Sequence, residues 1–499
     1  MTGPYILAID QGTTSSRALV VDTAGAIAGI GQEEFTQYYP APGRVEHEPE
    51  EIWESTVNAI LAALKAAAIE PRELAGVGIT NQRETLVVWD RQSGVALTRA
   101  IVWQDRRTAD LCAELRAAGH EELVARSTGL TIDPYFTGTK LAWLLREIPD
   151  LREAAKNHEV AVGTVDSWLI WKLTDGARHV TDFTNASRTM LFNIQRGRWD
   201  DELLGLLDIP REVLPSVQPS RSGFGVTAEE VFGAEVPILA VAGDQQSAVF
   251  GQACFERGQA KNTYGTGCFL LANAGKTSVR SSRRLLTSLS ANSGRAGPEY
   301  VLEGSVFVAG SLVQWLRDGL GIIERSEDVA ALARSVADSG GVTVVPAFTG
   351  LGAPYWDPHA RGAILGLTRG VERGHIARAA EEAIALSSAE LVQAMNDDLG
   401  EPIHELRVDG GAARDDLLMQ LQADYLGIPV VRPQNTESTA MGAAYLAGLG
   451  AGIWDSNEQV AALWRPERTF EPEMPEDQRA EKLGQWRRAV ERTLGWAAE

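Results

Sequence analysis

Two segments with one pattern, each near the start of a half, constrain this chain more than any other feature. Tyr5–Gly25, YILAIDQGTTSSRALVVDTAG, reads as an apolar strand ending in Asp10, a turn of Gly and hydroxyl residues, a second apolar strand and a second turn. Lys261–Gly275, KNTYGTGCFLLANAG, repeats strand, Gly-rich hydroxyl turn, strand and turn. Such a hairpin gathers backbone N–H groups and hydroxyls at its tip and, in the first copy, a carboxylate. Phosphate oxygens need those donors, and a magnesium ion needs that carboxylate. Either copy alone is compatible with an ordinary hairpin. Their repetition predicts a duplicated fold with a nucleotide held between two halves.

A chain of 499 residues is too long for one core and is expected to form two or three domains. No apolar run approaches the roughly 20 residues a membrane helix needs, so no membrane insertion is expected. The start, MTGPYILAID, lacks a basic n-region and enters a strand directly, so no signal peptide is read. Cys112, Cys254 and Cys268 stand far apart, without CxxC or HExxH. That pattern argues against disulfides or structural zinc and fits a reducing, cytoplasmic setting. A net charge of −21 argues against nucleic acid as a partner and obliges a polyanionic substrate to find local donors and a metal.

Strands and helices alternate along the chain, which predicts the α/β class. Ala26–Phe35 extends the first hairpin into a third antiparallel strand. Glu50–Ala68 carries Ile52, Trp53, Val57, Ile60, Leu61 and Leu64 at a helical period, with acidic residues in the first turn. Leu74–Thr80, Thr85–Asp90, Ile238–Ala242, Val342–Pro346 and Leu406–Val408 read as strands. Thr139–Arg146, Asp166–Leu173, Arg378–Asp397 and Leu417–Tyr425 read as helices. The tail Asp477–Trp496 places Leu483, Trp486, Val490 and Leu494 on one helical face, expected to pack on the body. His47, flanked by acids, is expected at the surface near a helix start. The pairs Asp397–Asp398 and Glu381–Glu382 are expected on solvated helix faces.

The Gly265–Gly267 turn continues neither as GxGxxG nor as a P-loop, because Leu270 stands where either would place glycine. Gly410–Gly411, between a strand and a helix, offers a side-chain-free surface to a flat adenine or ribose, or simple packing room.

Nine segments, in order, resemble the glycerol kinases of the FGGY carbohydrate kinase family: Asp10–Arg17, Ile79–Thr85, Trp103–Arg107, Asp133–Phe136, Asn185–Asn193, Gly243–Gln246, Asn262–Phe269, Phe348–Asp357 and Gly442–Gly448. The resemblance runs from about Tyr5 to Trp454. It implies two duplicated actin/hexokinase-like (ribonuclease H-like) ATPase domains with an interdomain cleft. Expected limits are 1–250 for the N-terminal domain with the polyol site and first phosphate hairpin, 251–450 for the C-terminal nucleotide domain, and 451–499 for a C-terminal helical extension. The implied activity is phosphorylation of glycerol by ATP with Mg2+, and the implied assembly a homo-oligomer, dimer or tetramer. A larger sugar or sugar acid (xylulose, gluconate) as acceptor, or an actin-like regulatory ATP-binding protein, are the alternatives.

The resemblance also implies roles. Asp244 is the general base, taking the proton of the attacking hydroxyl; a strand-end Asp capping a helix is the bland alternative. Asp10, with Asp244, holds the metal, through water because magnesium dehydrates reluctantly. Thr13, Thr14, Ser15, Arg17 and Thr266 contact phosphate, and Gly310, Gln314, Gly411 and Asp415 complete the nucleotide site. Arg83 and Glu84, a donor beside an acceptor, read two neighbouring hydroxyls of a small polyol, with Tyr135 and Gln245 as further polar contacts. Trp103 and Phe269 wall the polyol carbons, or are plain core. The chain departs from the resemblance at Asp415 and Asp416, where asparagine is usual. An ionised Asp only accepts hydrogen bonds, so looser adenine selection is expected. Phe232–Pro237 lacks the Gly-Gly-Thr-Arg loop that binds fructose bisphosphate in some relatives, and no His lies between His179 and His359 to take a regulatory phosphate.

Overall fold

The computed structural model describes residues 4–294 and 296–497. Residues 1–3 and 498–499, the outermost of the expected first domain and C-terminal extension, lie outside the described residues. Six strands form the first sheet: β1 Tyr5–Gln11, β2 Ser15–Val21, β3 Ile27–Glu34, β4 Leu74–Asn81, β5 Arg221–Val226 and β6 Pro237–Gly243, in spatial order β5-β6-β4-β1-β2-β3. Seven form the second: β7 Ala260–Tyr264, β8 Cys268–Gly275, β9 Leu286–Leu289, β10 Tyr300–Val306, β11 Leu406–Asp409, β12 Val430–Pro433 and β13 Pro466–Phe470, in order β9-β10-β8-β7-β11-β12-β13. The two superpose in topology. Reading β3-β2-β1-β4-β6-β5 against β10-β8-β7-β11-β12-β13, each shows two antiparallel pairings, two parallel ones and a final antiparallel one. The second sheet adds β9 outside β10. The duplication read from two hairpins extends to whole sheets.

β1 is buried on both faces, which explains its near-continuous apolar run. Leu7 and Ile9 join one core with Ile52, Ala59 and Ile60, while Ile6 and Ala8 join another with Ala440, Ala443 and Ala447. The first core lies under helix α1, Pro49–Ala67, whose Pro at the first turn and Glu50 and Glu51 suit a helix start. Its buried stripe keeps Ile52, Ile60 and Leu64 of the expected residues but not Leu61. Small residues Ser55, Thr56, Ala59 and Ala63 face the sheet, and Leu61 is 59% exposed. A Cβ at Gly31 would stand 2.0 Å from the Ala59 carbonyl oxygen, so α1 lies directly on β3 and large residues are displaced to its flanks.

Helix α2, Asp244–Gly251, follows β6 of the first half and packs on β7 and β8 of the second. The remaining major helices are α3 Gly310–Asp318, α4 Arg373–Leu399, α5 Asp416–Leu426, α6 Ser438–Gly450 and α7 Glu476–Glu491. Helix α6, late in the chain, packs back on β4, β1 and β6 of the first sheet, and on α2. The halves therefore interlock through one helix donated each way.

Four expectations are corrected. His47 is fully buried rather than at the surface, its ring edge-on to Phe35 at 5.0 Å and its Nε2 2.7 Å from Gln37 Oε1. It does precede α1, but the strand pairing Glu46↔Ile101 and His47↔Ala100 draws it inward. Glu381 and Glu382 are 1% and 5% exposed, because α4 is covered by α5 on this face; Asp397 is exposed as expected. Leu494 lies beyond the end of α7 and is 40% exposed, while Trp486 and Val490 dock that helix as expected. The strand expected at Thr85 begins at Val87, since Arg83–Thr85 form a tight turn.

Candidate active site

The strand ends converge on the cleft, as open α/β sheets require. β6 ends at Gly243 and Asp244 opens α2. Its Oδ1 accepts from the Gln245 backbone N–H at 2.7 Å and its Oδ2 from Gln245 Nε2 at 3.1 Å, while the Arg83 Nε stands 3.1 Å from Oδ1. The Asp244 side chain keeps 29% of its exposure, so the carboxylate is aimed by its neighbours yet open to the cleft.

Arg83 and Glu84 follow β4 and are buried. Arg83 makes two parallel bonds to Glu303 of β10, Nη1 to Oε2 at 2.7 Å and Nη2 to Oε1 at 3.0 Å. Arg188 Nε donates to Glu84 Oε1 at 2.6 Å and its Nη2 to Glu303 Oε1 at 3.2 Å. Burial alone would raise the Glu303 carboxyl, but Arg188 and Arg83 hold it at about 2. Burial raises Glu84, against the pull of Arg188 and Arg83. The four charges thus satisfy one another across the two halves, and two donors, Arg83 Nε and Arg188 Nη1, remain without a well-aligned acceptor. Glu84 has φ 60°, a costly conformation for this residue type, and its carbonyl is held by Thr137 Oγ1 at 3.1 Å and Lys140 Nζ at 3.4 Å.

Trp103 bridges two aromatics, with ring centroids 5.7 Å from Tyr135 and 6.1 Å from Phe269, both edge-on. Its indole N–H donates to Thr13 Oγ1 at 3.0 Å, which ties the aromatic wall to the first hairpin turn. Tyr135 is buried, and burial pushes its phenol up, so it stays protonated. Gln245 is buried, its Oε1 taken by Lys261 Nζ at 2.5 Å. Lys261 also donates to Thr263 Oγ1 at 2.8 Å; burial draws its ammonium down to about 8, with Asp409 and Asp244 opposing.

Asp10 lies opposite Arg17 across the β1–β2 pair. Burial first, then the charges of Asp244 and Glu437, raise its carboxyl to about 7 against the pull of Arg17. A carboxylate so short of positive charge suits a cation. Among the described residues no group of three or more His, Cys, Asp or Glu could hold a metal alone. Arg17 is occupied by Glu437 and by Gln32, the latter at 2.8 Å, and Thr14 is exposed at the turn.

A cavity of about 590 Å³ in the second half brings together Thr266, Gly310, Gln314, Gly411 and Asp415, five residues scattered over 150 positions of sequence. The β7–β8 turn is pinned to the start of α3: Gly310 N–H donates to the Gly265 carbonyl at 3.0 Å, and Ala309 and Ser311 N–H donate to Thr266 at 2.9 and 3.1 Å. Gly410 has φ 86°, and a Cβ there would meet the Tyr264 carbonyl oxygen at 2.5 Å, so this glycine is required by the approach of β11 to β7. Sequence reasoning missed Arg188, Glu303 and Lys261. Each carried a signal, a charge inside an otherwise apolar or small-residue strand for Glu303, a place at the start of the second hairpin for Lys261, and a place within the Asn185–Asn193 segment for Arg188.

Twin sheets, a cleft-facing carboxylate and a nucleotide-sized cavity define a phosphotransferase of the actin and hexokinase fold. The FGGY family of carbohydrate kinases matches through its N-terminal domain over residues 5–251 and its C-terminal domain over 260–451. Glycerol kinase of Aromatoleum aromaticum is 60% identical, over 99% of each chain, and that of Dechloromonas aromatica 58%, over 99% of this chain and 98% of its own. The structure of Plasmodium falciparum glycerol kinase with ADP is 36% identical, with a TM-score of 0.91 over 99% of this chain and 98% of that one. This chain belongs to the FGGY family of carbohydrate kinases. No helix of the described residues is long and apolar enough to cross a membrane.

Proposed function

We propose that the enzyme transfers the terminal phosphoryl group of ATP to glycerol, giving sn-glycerol 3-phosphate. The observation that carries this reading is Asp244 set against the buried Arg83–Glu84 pair and the Trp103, Tyr135 and Phe269 wall. Asp244 takes the proton of the attacking hydroxyl; the N–H groups of Gln245 aim that carboxylate. Glu84 accepts from one glycerol hydroxyl, and the free Arg83 Nε donates to its neighbour. The aromatic wall covers the three carbons. A longer sugar would leave hydroxyls against these rings without partners.

Thr13, Thr14, Ser15 and Thr266 supply phosphate donors at the two hairpin tips, and Arg17 joins them on release from Glu437. Gly310, Gln314, Gly411 and Asp415 hold the nucleoside in the second half. Asp10 and Asp244 would hold a magnesium ion through water, and the ion would supply charge neutralisation to the phosphates. Closure of the halves excludes water and limits wasteful hydrolysis. Three buried, free cysteines support a cytoplasmic location, and the family resemblance supports a homo-oligomer, dimer or tetramer, which sedimentation would measure.

The test is ADP release from magnesium-ATP with glycerol, xylulose, gluconate or no acceptor, for the native enzyme and Asp244→Asn. Glycerol-dependent release that falls by about 10²–10⁴-fold in the variant is expected. Preference for a larger sugar overturns the acceptor assignment.

A further inference from the structure

Beside the acceptor residues lies a buried cation that phosphoryl transfer does not use. Lys140 belongs to the first turn of the helix Thr137–Glu147 and is 0% exposed, so its side chain touches no solvent. Helical side chains lean toward the N-terminus of their helix, which carries this ammonium back past the helix start. There Nζ donates to the Tyr135 carbonyl at 2.5 Å and to the Glu84 carbonyl at 3.4 Å. Among the described residues no carboxylate bonds to it. Glu84 and Asp105 act on it by charge alone, against burial, which draws the ammonium down to about 7.

A buried cation without a bonded carboxylate is unfavourable, and so is a positive charge near a helix N-terminus. The helix therefore gains nothing from this charge. What the ammonium does is join two main-chain segments far apart in sequence, each presenting one acceptor-site group. Glu84 sits at φ 60° in the turn after β4, a conformation that persists only where its surroundings fix it. Arg188 holds its carboxylate at 2.6 Å, and Thr137 Oγ1, at 3.1 Å, shares its carbonyl with Lys140. Tyr135 is held at its N–H by Asp133 Oδ1 at 2.9 Å and at its carbonyl by Lys140. Among the described residues Lys140 alone bonds to the main chain of both.

We propose that Lys140 is a positioning residue of the acceptor site, whose ammonium fixes the Glu84 carboxylate and the Tyr135 phenol at the spacing of a three-carbon polyol and so sets the choice of acceptor. The proposal rests on the reading of Glu84 and Tyr135 as glycerol contacts. A site that hydrogen-bonds each hydroxyl rejects an analogue lacking one, because its buried polar groups are left unpaired. That rejection needs both groups fixed. Where they can shift to meet each other or water, the missing hydroxyl is penalised less. Without the ammonium the two segments lose their common tie, and glycerol affinity and discrimination fall together.

The experiment compares glycerol with 1,3-propanediol, which lacks only the middle hydroxyl, in the native enzyme and in Lys140→Met, which keeps the apolar stem without a donor. The native enzyme is expected to favour glycerol in kcat/KM by about 10²-fold or more. Lys140→Met is expected to narrow that preference and to raise the glycerol KM, each by about tenfold or more, while the KM for magnesium-ATP stays native. Loss of folded protein lowers only the apparent kcat, so KM and the preference report geometry rather than stability. Lys140→Gln keeps an N–H donor without the charge and carries the test where Lys140→Met does not fold; it is expected to move both quantities the same way by less. Equal use of the two acceptors by the native enzyme overturns the proposal. So does an unchanged glycerol KM or preference in the folded variants, or an equal rise in the KM for magnesium-ATP. Glu84→Gln, measured alongside, separates the two levels. An unchanged glycerol KM there overturns the acceptor reading and the proposal with it; a raised one there, with native values in Lys140→Met, overturns the positioning role alone.

Discussion

Glu303 is one residue on which both halves of the acceptor site depend. It balances Arg83 and Arg188 at once, and its removal would leave two buried cations with Glu84 and the partly exposed Asp244 as their remaining carboxylates. Breaking a buried pair in this way costs about 3–5 kcal/mol. Glu303→Gln is therefore expected to lower the melting temperature and to raise the glycerol KM by more than tenfold, read by thermal unfolding and steady-state kinetics. His47 sets a pH dependence. Burial holds its imidazole at about 4, below the ordinary 6.5, so folding keeps it neutral and the chain binds more protons when unfolded. Its contribution is present above pH 6.5 and is lost as the pH falls from 6.5 toward 4. Between pH 7 and 5 the melting temperature should fall, and should fall less in His47→Gln, whose amide can still meet Gln37. Arg83, Glu84, Trp103 and Asp244 were legible as candidates in the sequence because each sits in a short segment with its own pattern. The burial of His47 and Glu381 was not: a titratable residue in a polar local context looks solvated until distant elements cover it.

At the scale of elements, the site stands on the contact between α2 and α6. A Cβ at Gly442 would lie 1.9 Å from the Ser247 carbonyl oxygen, and one at Gly251 2.0 Å from that of Ser438. The helices meet backbone to backbone, and α2 carries Asp244 on its first turn. Gly442→Ala must push them apart, at a cost of about 1–3 kcal/mol for the overpacking. A lowered melting temperature together with a fall in kcat of tenfold or more is expected, because the base moves with its helix. A variant with native kcat would show that Asp244 is placed by β6 alone. Helices α1, α4 and α5 were readable from the sequence, whereas α3 and α6 were not, α6 because it is buried at nearly every position and so shows no apolar period. Which face each helix buries was less so: in α1 the period pointed to Leu61, and the close approach over Gly29 and Gly31 selected the alanines instead.

At the scale of the molecule, ion pairs, a hydrogen bond and helices cross between the halves. Arg83–Glu303, Arg17–Glu437 and Lys261–Gln245 each join a residue of one half to one of the other. Ligands that add bridges of this kind favour the closed arrangement. Glycerol and magnesium-ADP together are expected to shrink the radius of gyration in X-ray scattering and to raise the melting temperature, by about 2.7 kcal/mol of added stability at a hundredfold excess over Kd. Scattering curves unchanged by both ligands would argue against closure. The sequence by itself determined the α/β class, the duplication, the strand-end Asp10 and Asp244 and the Gly-hydroxyl turns, because these are local: strand period, turn chemistry and glycine placement act within a dozen residues. Tertiary structure alone decided that α2 and α6 exchange between halves, that Glu303 and Arg188 join Arg83 and Glu84 in one buried cluster, and that Glu381 is buried. Those outcomes depend on which surfaces come together across hundreds of residues, and burial, charge pairing and protonation follow from that meeting rather than from any local pattern.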